Sequence, residues 1–125
     1  MTGITLDAGA LIAFERNTRA VVSIIRRAVD VGATVTVPAG VVGQVWRDGR
    51  RQVRLARLLG SPTVAVEALD DARARSAGQL CGVRRTRDVI DASVVLCARA
   101  RGQAVLTSDA DDLRRLDPSV AIIRV

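Results

Sequence analysis

Short β-branched runs alternate along the chain with segments of helical length, and this rhythm is its main organisational signal. "ITL" (4–6), "TVTV" (34–37), "TVAV" (63–66), "AVLT" (104–107) and "AIIRV" (121–125) read as strands. Residues 20–32, 39–49 with 50–60, 69–82, 86–102 and 109–116 read as helices, and a further helix begins near Ala8 or Gly9. Gly32, Gly60 and Gly102 close helical stretches ahead of the second, third and fourth strands, as C-terminal caps do. Pro38 starts a helix directly after the second strand, where its missing N–H does no harm. The repeated βαβ pattern predicts an α/β fold, a three-layer α/β/α sandwich around a mostly parallel sheet. No linker, repeat or low-complexity tract interrupts the pattern, so residues 1–125 are expected to form a single domain.

Composition narrows the chemistry. With 125 residues, 49% of them hydrophobic, the chain can bury a core without disulfides or a structural metal. Its apolar runs fall far short of the roughly 20 residues that span a bilayer. "MTGITLD" lacks the basic-then-apolar pattern of a secretory signal, and a soluble cytoplasmic protein with no membrane association is expected. Cys81 and Cys97 lack CxxC spacing and read as core thiols. The absence of histidine removes the usual zinc site and any imidazole base. Chemistry must therefore run on carboxylates, hydroxyls, arginine or a bound ion.

All 19 basic residues are arginine, and the net charge is +6. Guanidinium pairs with phosphate in a fork, which invites a nucleic-acid reading, although an Arg-, Ala- and Val-rich chain without lysine also looks like coding bias. The aromatic content of 2% argues against a stacking platform for single-stranded bases.

Carboxylates supply the sharper signal. Asp7 stands at the carboxyl end of the first strand and Asp109, in "AVLTSDADDL", at the corresponding end of the fourth. In parallel sheets such positions converge on one crevice. "TRDVIDASVVLCARA" reads as a helix capped by Thr86, with Asp88 and Asp91 on one face and Asp91 in an apolar stretch. Two like charges about 4 Å apart cost about 4 kcal/mol at an effective dielectric of about 20. Such a cluster must raise a pKa or bind a cation. An all-oxygen set suits Mg²⁺ or Mn²⁺, which can activate water and neutralise phosphate charge. Each acid also has a purely structural reading: Asp7 and Asp109 as helix caps, Asp88 as a first-turn complement to the helix dipole, and Asp111 and Asp112 as solvated first-turn charges.

With these residues in place, the whole chain resembles the PIN-domain family, and most of all the VapC-type toxins of bacterial toxin–antitoxin pairs. "TLDAGALIA", "DVIDASVVLCARA" and "AVLTSDADDL" carry the likeness. The resemblance implies a Mg²⁺- or Mn²⁺-dependent endoribonuclease that hydrolyses RNA to 5′-phosphate and 3′-hydroxyl ends. It implies a cognate antitoxin as partner and a homodimer. Asp7, Asp91 and Asp109 would be the catalytic, metal-binding carboxylates, with Asp88 and Asp112 as supporting ligands. Thr107 and Ser108 resemble hydroxyls that orient the last acid or touch substrate phosphate.

One position departs from the family. Its second acid is normally a glutamate on the helix after the second strand, where "VPAGVVGQVWRDG" offers Gln44. The amide oxygen can still ligate an ion, but one negative charge is lost. The departure sustains an alternative, a catalytically weak PIN-like module that binds RNA or the antitoxin. Glu15 lies outside the motif and reads as an ordinary helix-end charge.

Arg47, Arg50, Arg54 and Arg57 recur at three- and four-residue steps and form one stripe if the segment is helical. Such a stripe is a solvated face, an RNA-backbone track or a contact for an acidic antitoxin segment. Arg84, Arg85 and Arg87, just before Asp88, are expected near the crevice as candidate phosphate contacts. Trp46 reads as core or partner-groove packing rather than base stacking. The apolar faces of "VVSII" and "VRLARLL" suit either the core or an antitoxin's amphipathic helix.

Overall fold

The computed structural model describes residues 3–125. Five strands, β1 (Gly3–Leu6), β2 (Thr34–Pro38), β3 (Val64–Glu67), β4 (Ala104–Thr107) and β5 (Ile122–Arg124), form one sheet in the order β3-β2-β1-β4-β5. Every neighbouring pair is parallel. The connecting helices are α1 (Ala8–Glu15), α2 (Arg19–Asp30), α3 (Ala39–Val45), α4 (Val53–Leu59), α5 (Asp71–Arg84), α6 (Val89–Arg101) and α7 (Ala110–Leu116).

The expected parallel α/β architecture is present, and right-handed crossovers account for its layering. The chain steps from β1 towards β3 through α1–α4, then returns through α5 and α6 to β4, so the two sets of helices cover opposite faces. The inner strands are accordingly buried on both sides: Ile4, Leu6, Val35, Val37, Val105 and Leu106 are all fully buried. Helix α6 lies against β1, β2 and β4. Its buried face is built of the small and medium side chains Ala92, Ser93, Val94, Val95, Cys97 and Ala98, which permit close approach to the sheet.

A Cβ at Gly3, where φ is +128°, would collide with the Thr34 carbonyl of the neighbouring strand, so only glycine fits there. Both cysteines are buried and free, as core thiols should be. Burial and then the Glu67 carboxylate push the Cys97 thiol up to about 12.

One expected stretch divides. Residues 39–60 form α3 and α4 with a loop between them, because Asp48 and Gly49 supply a turn: the Asp48 carbonyl accepts from the amides of Arg51 and Gln52, each at 3.0 Å. The arginine stripe is broken accordingly. Arg54 and Arg57 lie on α4, whereas Arg47 and Arg50 lie in the loop. Trp46 is not core: it caps the end of α3 and keeps 38% of its surface exposed. Glu15 is more than a helix-end charge, since it accepts a 2.9 Å bond from Gln52 Nε2 across to the loop. No helix among the described residues is long and apolar enough to cross a membrane.

Candidate active site

The strand order reverses at β1, with β2 and β3 on one side of it and β4 and β5 on the other, and the carboxyl ends of β1 and β4 border the crevice where α/β sheets bind ligands. Leu6 pairs with Leu106 across this seam. Asp7 and Thr107 are the next residues on each strand, so the register that buries two leucines side by side also brings a carboxylate to a hydroxyl.

Asp7 is 4% exposed and caps α1, its Oδ1 accepting from the Ala10 amide at 2.9 Å. The cap and the crevice position are compatible uses of the same side chain. Burial raises the Asp7 carboxyl, hydrogen bonds from the Thr107 hydroxyl and the Ala10 amide oppose that rise, and the charge of Asp109 adds to it. Thr107 is fully buried, and its Oγ1 also accepts from the Asp109 amide at 2.8 Å. Its single hydroxyl therefore links the backbone of Asp109 to the carboxylate of Asp7. Ser108 is exposed, and a Cβ on Gly9 would stand 3.2 Å from its Oγ and 3.5 Å from Asp7 Oδ1. Gly9 thus keeps the space between Asp7 and Ser108 open. The signal for it was a glycine in a first helical turn, where alanine is the better helix former.

Asp91 reaches the crevice from the other layer. The N-cap of α6 is Asp88, whose Oδ1 accepts from the Asp91 amide at 2.9 Å, and not Thr86. Thr86 is displaced because Arg85 ends α5 in the left-handed conformation, so the chain turns two residues before α6 begins. Asp91 therefore stands in the first turn of α6 rather than in mid-helix. Burial raises its carboxyl to about 7, assisted by the charge of Asp88, a hydrogen bond with Asp88, and the charges of Asp7 and Asp112. Asp109, Asp88 and Asp112 are exposed. Asp7, Asp88, Asp91, Asp109 and Asp112 thus share one electrostatic neighbourhood in which each buried member is held against its preference for water.

The donor chemistry fits a hard divalent cation, because a buried and a half-buried carboxyl of raised pKa gain most from an added positive charge. Among the described residues no group of three acidic or cysteine side chains is placed to hold a metal ion together. Mg²⁺ does not require one, since it commonly takes one or two carboxylates and keeps several waters.

The remaining candidates are Gln44 and the arginines of the α5–α6 connection. Gln44 is exposed on α3, one helical turn beyond Gly40, whose Cβ position abuts Ile90 of α6. Arg84, Arg85 and Arg87 are exposed in and after the last turn of α5 and make no ion pair among the described residues. The charge of Arg84 helps lower Asp117, which ends α7 at the opposite terminus from Asp109.

A separate cavity of about 250 Å³ opens between α2 and α4. Phe14, Ile25, Val29 and Leu58 make its apolar wall, while Arg26, Arg54 and Arg57, set against Asp30, leave it with net positive charge. The Arg54 guanidinium stacks over the Phe14 ring, 5.7 Å from the centroid, and donates to Asn17 Oδ1 at 2.6 Å.

The family model for the PIN domain matches residues 4–118. No curated protein matches the chain significantly. Among solved structures, VapBC2 from Rickettsia felis bound to a DNA fragment from its promoter aligns at 12% identity and a TM-score of 0.71, covering 98% of each chain. VapC20 of Mycobacterium tuberculosis, a sarcin-ricin loop cleaving toxin, aligns at 19% identity and a TM-score of 0.68, covering 98% of this chain and 99% of that one. FitAcB from Neisseria gonorrhoeae aligns at 16% identity and a TM-score of 0.64, covering 97% and 96%.

Proposed function

The chain belongs to the PIN domain family, and we propose that it is a divalent-metal-dependent endoribonuclease, the cytoplasmic toxin of a toxin–antitoxin pair. The observation that carries the reading is the proximity of the buried Asp7 and the half-buried Asp91, each raised by burial and Asp91 also by the charge of Asp7, at the seam where the sheet reverses its strand order. Asp7, Asp91 and Asp109 would hold Mg²⁺ or Mn²⁺, supported by Asp88 and Asp112. A bound ion would supply positive charge to phosphate oxygens and make water more acidic, the two requirements of phosphodiester hydrolysis.

The residues of the chain do the positioning. Thr107 fixes the orientation of Asp7 by donating to it while accepting from the Asp109 backbone. Asp88 fixes the start of α6 and so the direction of Asp91. Burial leaves Asp91 only partly ionised near neutrality, and a cation held beside it would favour its ionised form. Ser108, facing the gap at Gly9, is in position to meet a substrate oxygen. Arg85 and Arg87, free of ion pairs among the described residues, are the remaining phosphate contacts of the α5–α6 turn.

The antitoxin is assigned to the cavity between α2 and α4, whose apolar wall and net positive rim, three arginines against Asp30, suit an amphipathic segment with acidic residues. A homodimer completes the reading. The exposed, neutral Gln44 favours a second one, a weakly active module that binds RNA or antitoxin without efficient turnover. Incubating the purified protein with Mn²⁺ and single-stranded RNA separates the two, with Asp91→Asn as control. New fragments from the wild type alone support the nuclease, and identical ladders from both proteins reject it.

A further inference from the structure

We propose that Trp46 is a stacking platform for one unpaired base of the RNA strand that lies across the carboxylate crevice. The proposal rests on the ribonuclease reading and extends it to a residue that sets substrate preference. The low aromatic content of the chain excludes a continuous stacking surface; a single indole is sufficient for one base.

Tryptophan is the side chain with most to gain from burial, yet this sole tryptophan stays 38% exposed. Its ring is held there. A Cβ on Gly49 would lie 2.8 Å from Trp46 Cζ2, so the loop backbone passes flush against the indole and braces it. Gln52 fixes the loop in turn, using both ends of its amide. Its Oε1 accepts from the backbone amides of Arg47 at 2.7 Å and Asp48 at 2.9 Å. Its Nε2 donates to Glu15 at 2.9 Å and to the Val45 carbonyl at 3.0 Å. An exposed loop tied to two helices in this way presents its aromatic ring without paying ordering entropy on binding.

The charge around the ring is cationic. Arg47 turns back to donate to the Gly43 and Trp46 carbonyls at 3.2 and 2.7 Å, capping α3. Arg51, its side chain 89% exposed, stands 3.9 Å from the Asp48 carboxylate, and Arg50 has no ion pair among the described residues. An aromatic face beside exposed guanidinium groups, three arginines against the single Asp48, is the arrangement by which single strands are held without regard to sequence. Location favours the same ligand. Gly40 of α3 abuts Ile90, the neighbour of Asp91, and six residues at 1.5 Å each carry α3 about 9 Å from that contact to Trp46. The residues lining the apolar cavity between α2 and α4 do not include any of 46–52, so a peptide seated in that cavity does not account for the exposed indole.

With one tryptophan and no tyrosine, intrinsic fluorescence reports on this ring alone. The full chain in EDTA is titrated with a short oligoadenylate, with an abasic ribose-phosphate strand of equal length, and with oligoglutamate, while anisotropy of the labelled strands follows binding. Saturable quenching by oligoadenylate alone is expected. Trp46→Leu should weaken oligoadenylate binding about fivefold to a hundredfold, with Trp46→Phe intermediate and the abasic strand unaffected. Oligoadenylate binding without quenching, or with the same affinity for Trp46→Leu, overturns the platform and leaves the ribonuclease reading intact. Equal quenching by oligoglutamate overturns it in favour of a peptide surface. Absence of any RNA binding to the wild type overturns the platform, and the cleavage assay with Mn²⁺ decides the ribonuclease reading separately. Should Trp46→Leu fail to fold, the wild-type quenching comparison decides alone.

Discussion

Replacing Asp91 with asparagine should stabilise the ion-free protein at neutral pH while abolishing cleavage. The Asp91 carboxyl rises from 3.8 to about 7, first through burial and then through the neighbouring Asp88, Asp7 and Asp112. Between those two pH values the folded chain binds more protons at this site than the unfolded chain, so stability falls as pH rises through the window. Below about pH 4 both states are protonated and the penalty vanishes. Above about pH 7 it is complete. At 1.36 kcal/mol per pH unit the difference is roughly 4 kcal/mol, and partial solvent contact reduces it to about 2–3 kcal/mol. Asparagine keeps the shape, removes the charge and can donate to Asp88. For a chain of this length the gain corresponds to a melting temperature higher by about 6–15 °C. Thermal unfolding followed by circular dichroism in EDTA from pH 4 to 8 tests this. The gap between variant and wild type should open as pH rises, and Mn²⁺ should narrow it by stabilising the wild type more. A variant that melts no higher than the wild type at pH 8, or a gap of the same size at pH 4, would refute the burial of an uncompensated charge at this position.

Two further outcomes follow from other positions. Gly3→Ala should cost about 3 kcal/mol or more in urea unfolding, because the new Cβ meets the Thr34 carbonyl and φ is +128°. Gln44→Glu restores the acid that the family usually has there, and should tighten Mn²⁺ binding by about tenfold in calorimetry; unchanged affinity would remove Gln44 from the metal's surroundings.

Asp7 illustrates how the two readings of a residue can coincide. Its place after a β-branched run and before a helix marked it both as a cap and as a crevice acid, and it does cap α1 while bordering the crevice. Asp88 and Thr86 show the opposite situation. Both are competent caps two residues apart, and the choice fell to Asp88 only because Arg85 ends α5 in a left-handed turn. Local propensity could not decide between them. The segment 39–60 likewise contains helix-forming residues on both sides of Asp48–Gly49, and the loop between them is held by Gln52 bonding to Glu15 of another helix. A contact between residues so far apart in the chain leaves no periodic trace, so neither the broken arginine stripe nor the exposed Trp46 was visible in advance.

The alternation of apolar runs with helical segments determined the parallel sheet, because burial on both faces demands continuous β-branched strands and crossover helices. The sequence also determined the chemical inventory: carboxylates, hydroxyls and arginines, with no histidine. The tertiary structure alone decided which of those groups meet. Strand order is set by crossover handedness and core packing rather than by any local pattern, and only the pairing of β1 with β4 brings Asp7 beside Thr107 and Asp109 while α6 delivers Asp91 from the opposite layer. Burial in that seam, rather than the identity of the side chains, is what raises the carboxyls and prepares them for a cation.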